Sequence, residues 1–159
     1  MSQTTSEPGA FRELDALASA ALARDPEAPW ALVDVRSVEE FDSGHPAGAW
    51  NVPLGVKTWH GLVANPRFLE AMQALFARDD RLLLSCATGQ RSRQACLVLG
   101  DAGFAYLVNV SSGFLGRHDL RGRPVDPGWQ ACGLPVENEA QPGRSWAAIL
   151  ARLESGPAS

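Results

Sequence analysis

Three features of the sequence predict an α/β fold with a central parallel sheet and helices on both faces. Short β-rich apolar runs at Trp30–Val35, Arg81–Ser85 and Tyr106–Val110 alternate with longer stretches whose apolar residues recur at helical spacing. These runs are apolar almost throughout, which suits strands covered on both sides. A length of 159 residues with 45% apolar and 20% charged content is enough for one domain with a full core.

In chain order, residues 1–9 are polar and expected to be disordered. Phe11, Leu14, Leu17, Ala18, Ala21 and Leu22 then follow helical spacing and predict a helix, ended by the Pro-punctuated turn Arg24–Pro29. After the strand at Trp30–Val35, Ser37-Val38-Glu39-Glu40 has capping-box spacing for a short helix that Gly44 closes. Asp34 and Arg36 are read first as a structural ion pair and second as a wall of the active-site pocket. Ala49–Val52 is a short second strand. Trp59 is expected in the core, the alternative being that it lines the pocket mouth with His60. Asn65-Pro66 is expected to start a helix, with Asn65 as cap and Phe68, Leu69, Met72, Leu75 and Phe76 on its apolar face.

The helix from Arg91 to Asp101 is expected to turn Ala95, Val98, Leu99 and Ala102 inward, with Cys96 as a small core residue. Gly103 ends it. Arg117–Arg123 is read as a solvated basic loop, with guidance of anionic substrates as the alternative. Cys132 is read first as structural and second as an exposed resolving thiol. Trp146, Ile149, Leu150 and Leu153 fall at i, i+3, i+4 and i+7 and predict an amphipathic helix, expected to dock back on the domain, the alternative being that it binds a partner. The division expected is therefore a domain over 10–137, followed by a linker and helix over 138–159.

Chemistry concentrates in Leu82-Leu83-Leu84-Ser85-Cys86-Ala87-Thr88-Gly89-Gln90-Arg91-Ser92. A buried strand ends at a cysteine, a tight turn follows, and a helix begins. Main-chain N–H groups and the positive helix end converge there, favouring thiolate over thiol. Ala87 and Thr88 are small, Gly89 can take positive φ, and Arg91 supplies a fixed charge. Cys86 is thus the candidate nucleophile, at the mouth of a ring of main-chain donors formed by Ala87, Thr88, Gly89, Gln90 and Arg91. A thiolate so held needs no general base, so His45 is read as a loop histidine bonding a turn's backbone.

Cys86-x-x-Gly89-x-Arg91-Ser92 after an apolar strand resembles the active-site loop of single-domain rhodaneses, which are sulfurtransferases. Leu32-Val33-Asp34-Val35-Arg36 with Glu39, Glu40 and Phe41 resembles that family's "DVR…E(F/Y)" segment, and Gly44-His45 through Gly48-Ala49, Asn51 and Pro53 its "GHIPGAxNIP" segment. Gly103-Phe104 and Trp129 through Gly133-Leu134-Pro135-Val136 resemble its closing elements. The sequence departs from the pattern at Pro46-Ala47, where Ile-Pro is usual, and at Ser111-Ser112-Gly113, where a glycine pair is usual. The resemblance implies a three-layer rhodanese-like fold. It also implies transfer of a sulfane sulfur from thiosulfate or a similar anionic donor, through a Cys86 persulfide, to a thiol or cyanide.

Two rivals stand beside this reading. A cysteine phosphatase or arsenate reductase has the wider Cys-x5-Arg loop, whereas the spacing here is Cys86-x4-Arg91. A persulfide carrier or partner-docking module, with a protein as sulfur donor or acceptor, would use the same cysteine. The net charge of −4 argues against nucleic acid as a partner, and no apolar run approaches membrane-spanning length. Three widely spaced cysteines and a polar start suit the cytoplasm. No cofactor or metal is expected, since His45, His60 and His118 lack a ligand pattern.

Overall fold

The computed structural model describes residues 10–155; the stretch 1–9, expected to be disordered, lies outside them. In chain order the elements are β1 (Arg12–Leu14), α1 (Ala16–Ala23), β2 (Ala31–Asp34), α2 (Val38–Asp42), β3 (His45–Pro46), β4 (Trp50–Asn51), β5 (Gly55–Thr58), β6 (Gly61–Ala64), α3 (Phe68–Leu75), β7 (Arg81–Ser85), α4 (Gln90–Asp101), β8 (Tyr106–Val110), β9 (Arg117–His118), β10 (Pro124–Asp126), β11 (Val136–Glu137) and α5 (Trp146–Glu154). A five-stranded sheet runs in the order β1-β8-β7-β2-β4, every pairing parallel. Short antiparallel ribbons, β10 with β9, β11 with β3 and β5 with β6, decorate it.

The unbroken apolar runs feed two cores. On β7, Leu82 and Leu84 join Val33 and Val35 beneath α3, α4 and α5, while Leu83 joins Leu32, Val108 and Val110 beneath α1 and α2. Neither face of Leu82–Leu84 meets water, which is why that part of the strand is apolar throughout. Fully burying each of these aliphatic side chains contributes about 1.5–3 kcal/mol. The topology then places the site. The chain leaves β2 toward β4 on one side and leaves β7 toward β8 on the other. Connections that diverge in this way open a crevice above the carboxyl ends of β2 and β7.

The structure corrects five local expectations. Arg12–Leu14 is a strand paired with Val108–Val110, and the helix begins only after Asp15, whose carboxylate accepts from the Ala18 N–H at 2.9 Å. Ala16, Ser19 and Ala20 face the core while Leu17 is exposed, because the close approach of α1 to the sheet favours small side chains. Trp59 is 89% exposed, neither in the core nor enclosed at a pocket. It sits at the turn of the β5–β6 hairpin, where the Thr58 hydroxyl donates to the Gly61 carbonyl and accepts from the His60 N–H. Asn65 fixes a turn, accepting from the Arg67 N–H and donating to the Pro53 carbonyl, so α3 starts later, at Phe68. On α4, Val98 points outward, and Cys96 takes a core place beside Ala95 and Leu99.

Ser145 caps α5 through the Ala148 N–H. Trp146 and Ile149 enter the core that α3 supplies with Phe68, Ala71 and Met72, and Leu150 and Leu153 pack on its edge. Replacing Ile149 by Ala should therefore cost about 3 kcal/mol in urea unfolding. The Trp59→Ala change should stay within about 0.5 kcal/mol of the parent.

Candidate active site

Cys86 immediately follows β7, the middle strand of the sheet, on the face covered by α4. Its Sγ accepts hydrogen bonds from the N–H groups of Gly89 (3.2 Å) and Ser92 (3.3 Å), and the Ser92 Oγ lies 3.3 Å away. These are the donors a sulfur anion requires.

A second loop holds the first in shape. The carbonyls of Cys86 and Ala87 accept from the N–H groups of Phe114 (2.7 Å) and Leu115 (2.8 Å), just beyond β8. Two glycines permit this backbone-to-backbone approach. Gly89 has φ +93°, and a Cβ there would lie 2.2 Å from the Ser111 carbonyl oxygen; Gly113 has φ +65°, and its Cβ would lie 2.5 Å from that of Ala87. Any side chain at either place would force the loops apart.

The sulfur is more enclosed than the sequence suggests. Cys86 is 1% exposed, so the thiol lies on the floor of the loop rather than at its mouth. Gly89 and Ser92 carry the N–H groups bonded to sulfur. Ala87 is half-buried, and Thr88 and Gln90 are exposed on the rim. Arg91 turns to Glu40 of α2 in a bidentate pair at 2.7 and 2.9 Å. The Glu40 carboxylate also completes the α2 cap, accepting from the Ser37 N–H and hydroxyl. The Arg91 guanidinium, helped by those Ser37 donors and opposed by burial, lowers the Glu40 pKa from 4.5 to about 2.

The opposite wall is structural. Arg36 pairs with Asp34 at 2.8 Å, both buried; it donates to the Gly44 carbonyl and lies 4.5 Å over the Phe114 ring. His45 stacks on Phe41 at 3.5 Å, with its Nδ1 2.8 Å from the Phe41 carbonyl, so it braces a turn. Burial pushes the Cys96 thiol up, away from reactivity. Cys132 is half-buried against the Pro127 carbonyl. Among the described residues no cluster of three or more His, Cys, Asp or Glu side chains is placed to hold a metal, and no helix is long and apolar enough to cross a membrane.

A cleft of about 430 Å³ opens beside the loop, lined by Glu13, Thr88, Gly89, Gln90, Arg93 and Asn109 together with Ser111 and Arg117. A cleft of about 450 Å³ walled by Trp30, Trp50 and Phe76 lies at the amino ends of β2 and β7, away from the cysteine. Sequence reasoning did not single out four residues around the site: Ser92 as a side chain, Asn109, Glu13 and Glu40 as the partner of Arg91. Asn109 did leave a trace, as a polar residue in the apolar run Tyr106–Val110. Glu13 left none, because its strand reads as helix.

Comparison with known proteins points the same way as the geometry. The rhodanese-like domain model matches residues 17–117. Rhodanese-like domain-containing protein 15 of Arabidopsis thaliana, a chloroplastic protein, is 32% identical over 111 residues, covering 70% of this chain and 54% of the relative. Thiosulfate sulfurtransferase 16 of the same plant, also chloroplastic, is 38% identical over 82 residues, covering 52% of this chain and 68% of the relative. The crystal structure of Rv0390 from M. tuberculosis superposes with a TM-score of 0.65 at 29% identity, over 82% of this chain and 100% of that one. The chain spans about half the length of the curated relatives it matches.

The depressed Glu40 pKa gives the Glu40–Arg91 pair an acid signature. Its contribution is fully present above the ordinary carboxylate pKa of 4.5 and is lost as pH falls toward about 2. The Glu40 side chain is 37% exposed, so solvent screening holds the cost of Glu40→Gln near about 1 kcal/mol at neutral pH. Denaturant unfolding of parent and variant should show that difference shrinking below about pH 4.5.

Proposed function

The chain belongs to the rhodanese-like domain family, and on that premise we propose that it moves a sulfane sulfur from an anionic donor to a thiophilic acceptor through a persulfide on Cys86. One observation carries the reading: a cysteine sulfur at the carboxyl end of the central strand accepts two main-chain N–H groups, from Gly89 and Ser92. In the first half-reaction the Cys86 thiolate attacks the outer sulfur of a donor such as thiosulfate. A new S–S bond forms, the donor's S–S bond breaks, and its electron pair leaves with sulfite. In the second, a thiolate or cyanide attacks the outer persulfide sulfur, and the electron pair of the broken bond returns to Cys86. Dividing the transfer in this way gives ping-pong kinetics.

The loop residues have separate tasks in this scheme. Gly89 and Ser92 N–H groups hold the charged sulfur. Ala87, Thr88 and Gln90 form the rim, and the Thr88–Gln90 segment must move to admit a donor to an enclosed thiol. Arg91 fixes the loop to α2. That last assignment disfavours phosphate or arsenate chemistry, because the guanidinium is already spent on Glu40 and is not turned toward a tetrahedral oxyanion. Arg93 and Arg117 line the cleft beside the loop, each paired with a partly exposed carboxylate that an anionic donor would displace. A protein persulfide can serve as donor or acceptor by the same chemistry. The apolar face of α5 is packed into the core, so that helix is not the surface such a partner would use. The cytoplasm, or another reducing compartment, suits three free thiols.

Incubation with thiosulfate should add one sulfur atom to the intact mass, mapped to Cys86 by peptide mass. Cys86→Ser should gain none, and its transfer of sulfur to cyanide should fall to background. Sulfur found on Cys96 or Cys132, or a variant working at the parental rate, would overturn the proposal.

A further inference from the structure

Ser92 has one hydroxyl proton and faces two acceptors. Its Oγ lies 2.5 Å from Asn109 Oδ1 and 3.3 Å from Cys86 Sγ. All three residues are buried. The Asn109 amide decides where the proton goes. Its Nδ2 donates to Glu13 Oε1 at 2.8 Å and to the Gly89 carbonyl at 3.1 Å. Both partners can only accept, so turning the amide over would set its oxygen against two acceptors. Asn109 Oδ1 therefore faces Ser92 and accepts the hydroxyl's hydrogen bond. While Cys86 is a neutral thiol, the lone pairs of Ser92 Oγ are left toward sulfur, and the S–H can donate to them. Once the sulfur is ionised, the same arrangement sets lone pairs against negative charge.

We infer that Ser92 and Asn109 form a hydrogen-bond switch governing the ionisation of Cys86. The Ser92 hydroxyl donates its hydrogen bond to Asn109 Oδ1 while the sulfur is neutral and turns to donate it to Sγ when the thiolate or persulfide anion forms. The role in sulfur transfer rests on Cys86 being the reacting atom, as proposed above. No proton passes along the chain of groups. The thiol proton leaves to a water or buffer base, the Ser92 hydroxyl rotates and keeps its own proton, and an amide oxygen is too weak a base to take one. Rotation leaves the buried Asn109 Oδ1 short of a donor, so Asn109 restrains ionisation while Ser92 supports it. Asn109 is thus a positioning residue, held from the cleft side by Glu13, which Arg93 pairs with at 3.1 Å.

The switch predicts shifts of opposite sign. The readout is the midpoint of Cys86 ionisation in the full chain. It is taken from the pH dependence of iodoacetamide alkylation, located by peptide mass, and from thiolate absorbance. Asn109→Leu removes the competing acceptor and should lower the midpoint by roughly one pH unit. Ser92→Ala removes the hydroxyl and should raise it by roughly half a unit to one unit, because a charge-assisted bond is about twice as strong as a neutral one. Ser92→Thr keeps the hydroxyl and should stay at the parental midpoint. The charged and titratable groups around the sulfur keep their ion-pair partners in all three variants: Arg91 with Glu40 of α2, Asp34 with Arg36 at the end of β2, and Arg93 with Glu13 of β1, beside Cys96 of α4. Asn109→Leu takes only the amide donor from Glu13, and Ser92→Ala leaves that bond in place.

A merely structural role would loosen the loop and raise the midpoint in both Asn109→Leu and Ser92→Ala. That result, or no movement in either, overturns the switch. If Asn109→Leu does not fold, the Ser92 pair decides: a parental midpoint in Ser92→Ala, or a Ser92→Thr midpoint that follows Ser92→Ala, overturns it. Failure of the transfer reading is distinguishable, because it shows as a missing sulfur in the mass assay while the shifts persist.

Discussion

The site depends on one contact between two pieces of backbone. The carbonyls of Cys86 and Ala87 are taken by the N–H groups of Phe114 and Leu115, with the loop beyond β8 laid directly against the loop beyond β7. Each bond is worth about 1 kcal/mol net, and their geometric effect is larger than that sum. A peptide unit whose carbonyl is held on one side must present its N–H elsewhere, and here the next turn of chain aims two N–H groups at sulfur. The parallel sheet makes the contact possible, because it delivers both strand ends to the same edge.

Around that contact the charged groups are sorted by task. Asp34 with Arg36 and Glu40 with Arg91 are committed to each other and to backbone groups, so they act as braces. Arg93 and Arg117 stand on the open cleft, paired with partly exposed carboxylates. Burying Asp34 and Arg36 without complete hydrogen bonding would be costly, and the half-buried Glu40 and Arg91 share that commitment. Their completeness is why they suit a scaffold better than a reaction.

Much of this was legible in the residues, and the reasons differ by element. Leu82-Leu83-Leu84 announces a strand buried on both faces, and the two cores beneath it are the cause. Ser37 and Glu40 announce a helix start because capping is local, settled within four residues. Gly89 announces a left-handed position because no other residue fits there. The misses are of another kind. Glu13 and Ser92 reach each other's network through Asn109, from β1, α4 and β8, and polar contacts across 17 to 96 residues leave no local signature. Arg91 was visible as a charge, but not its partner 51 residues earlier. The helical periodicity reads from Phe11 because it continues backward through a strand three residues long. Trp59 reads as a core residue because hydrophobicity alone does not register the turn that lifts it out.

The carboxylate of Glu40 belongs to two assemblies, the start of α2 and the anchor of the cysteine loop. Reciprocity follows from that shared ownership. Whatever tightens the cysteine loop must also quiet the first turn of α2, and whatever frays that turn slackens the loop by an equal free energy. The amide of Glu40, bonded to the Ser37 hydroxyl, thereby becomes a local gauge of how firmly the loop around a sulfur that solvent hardly touches is held.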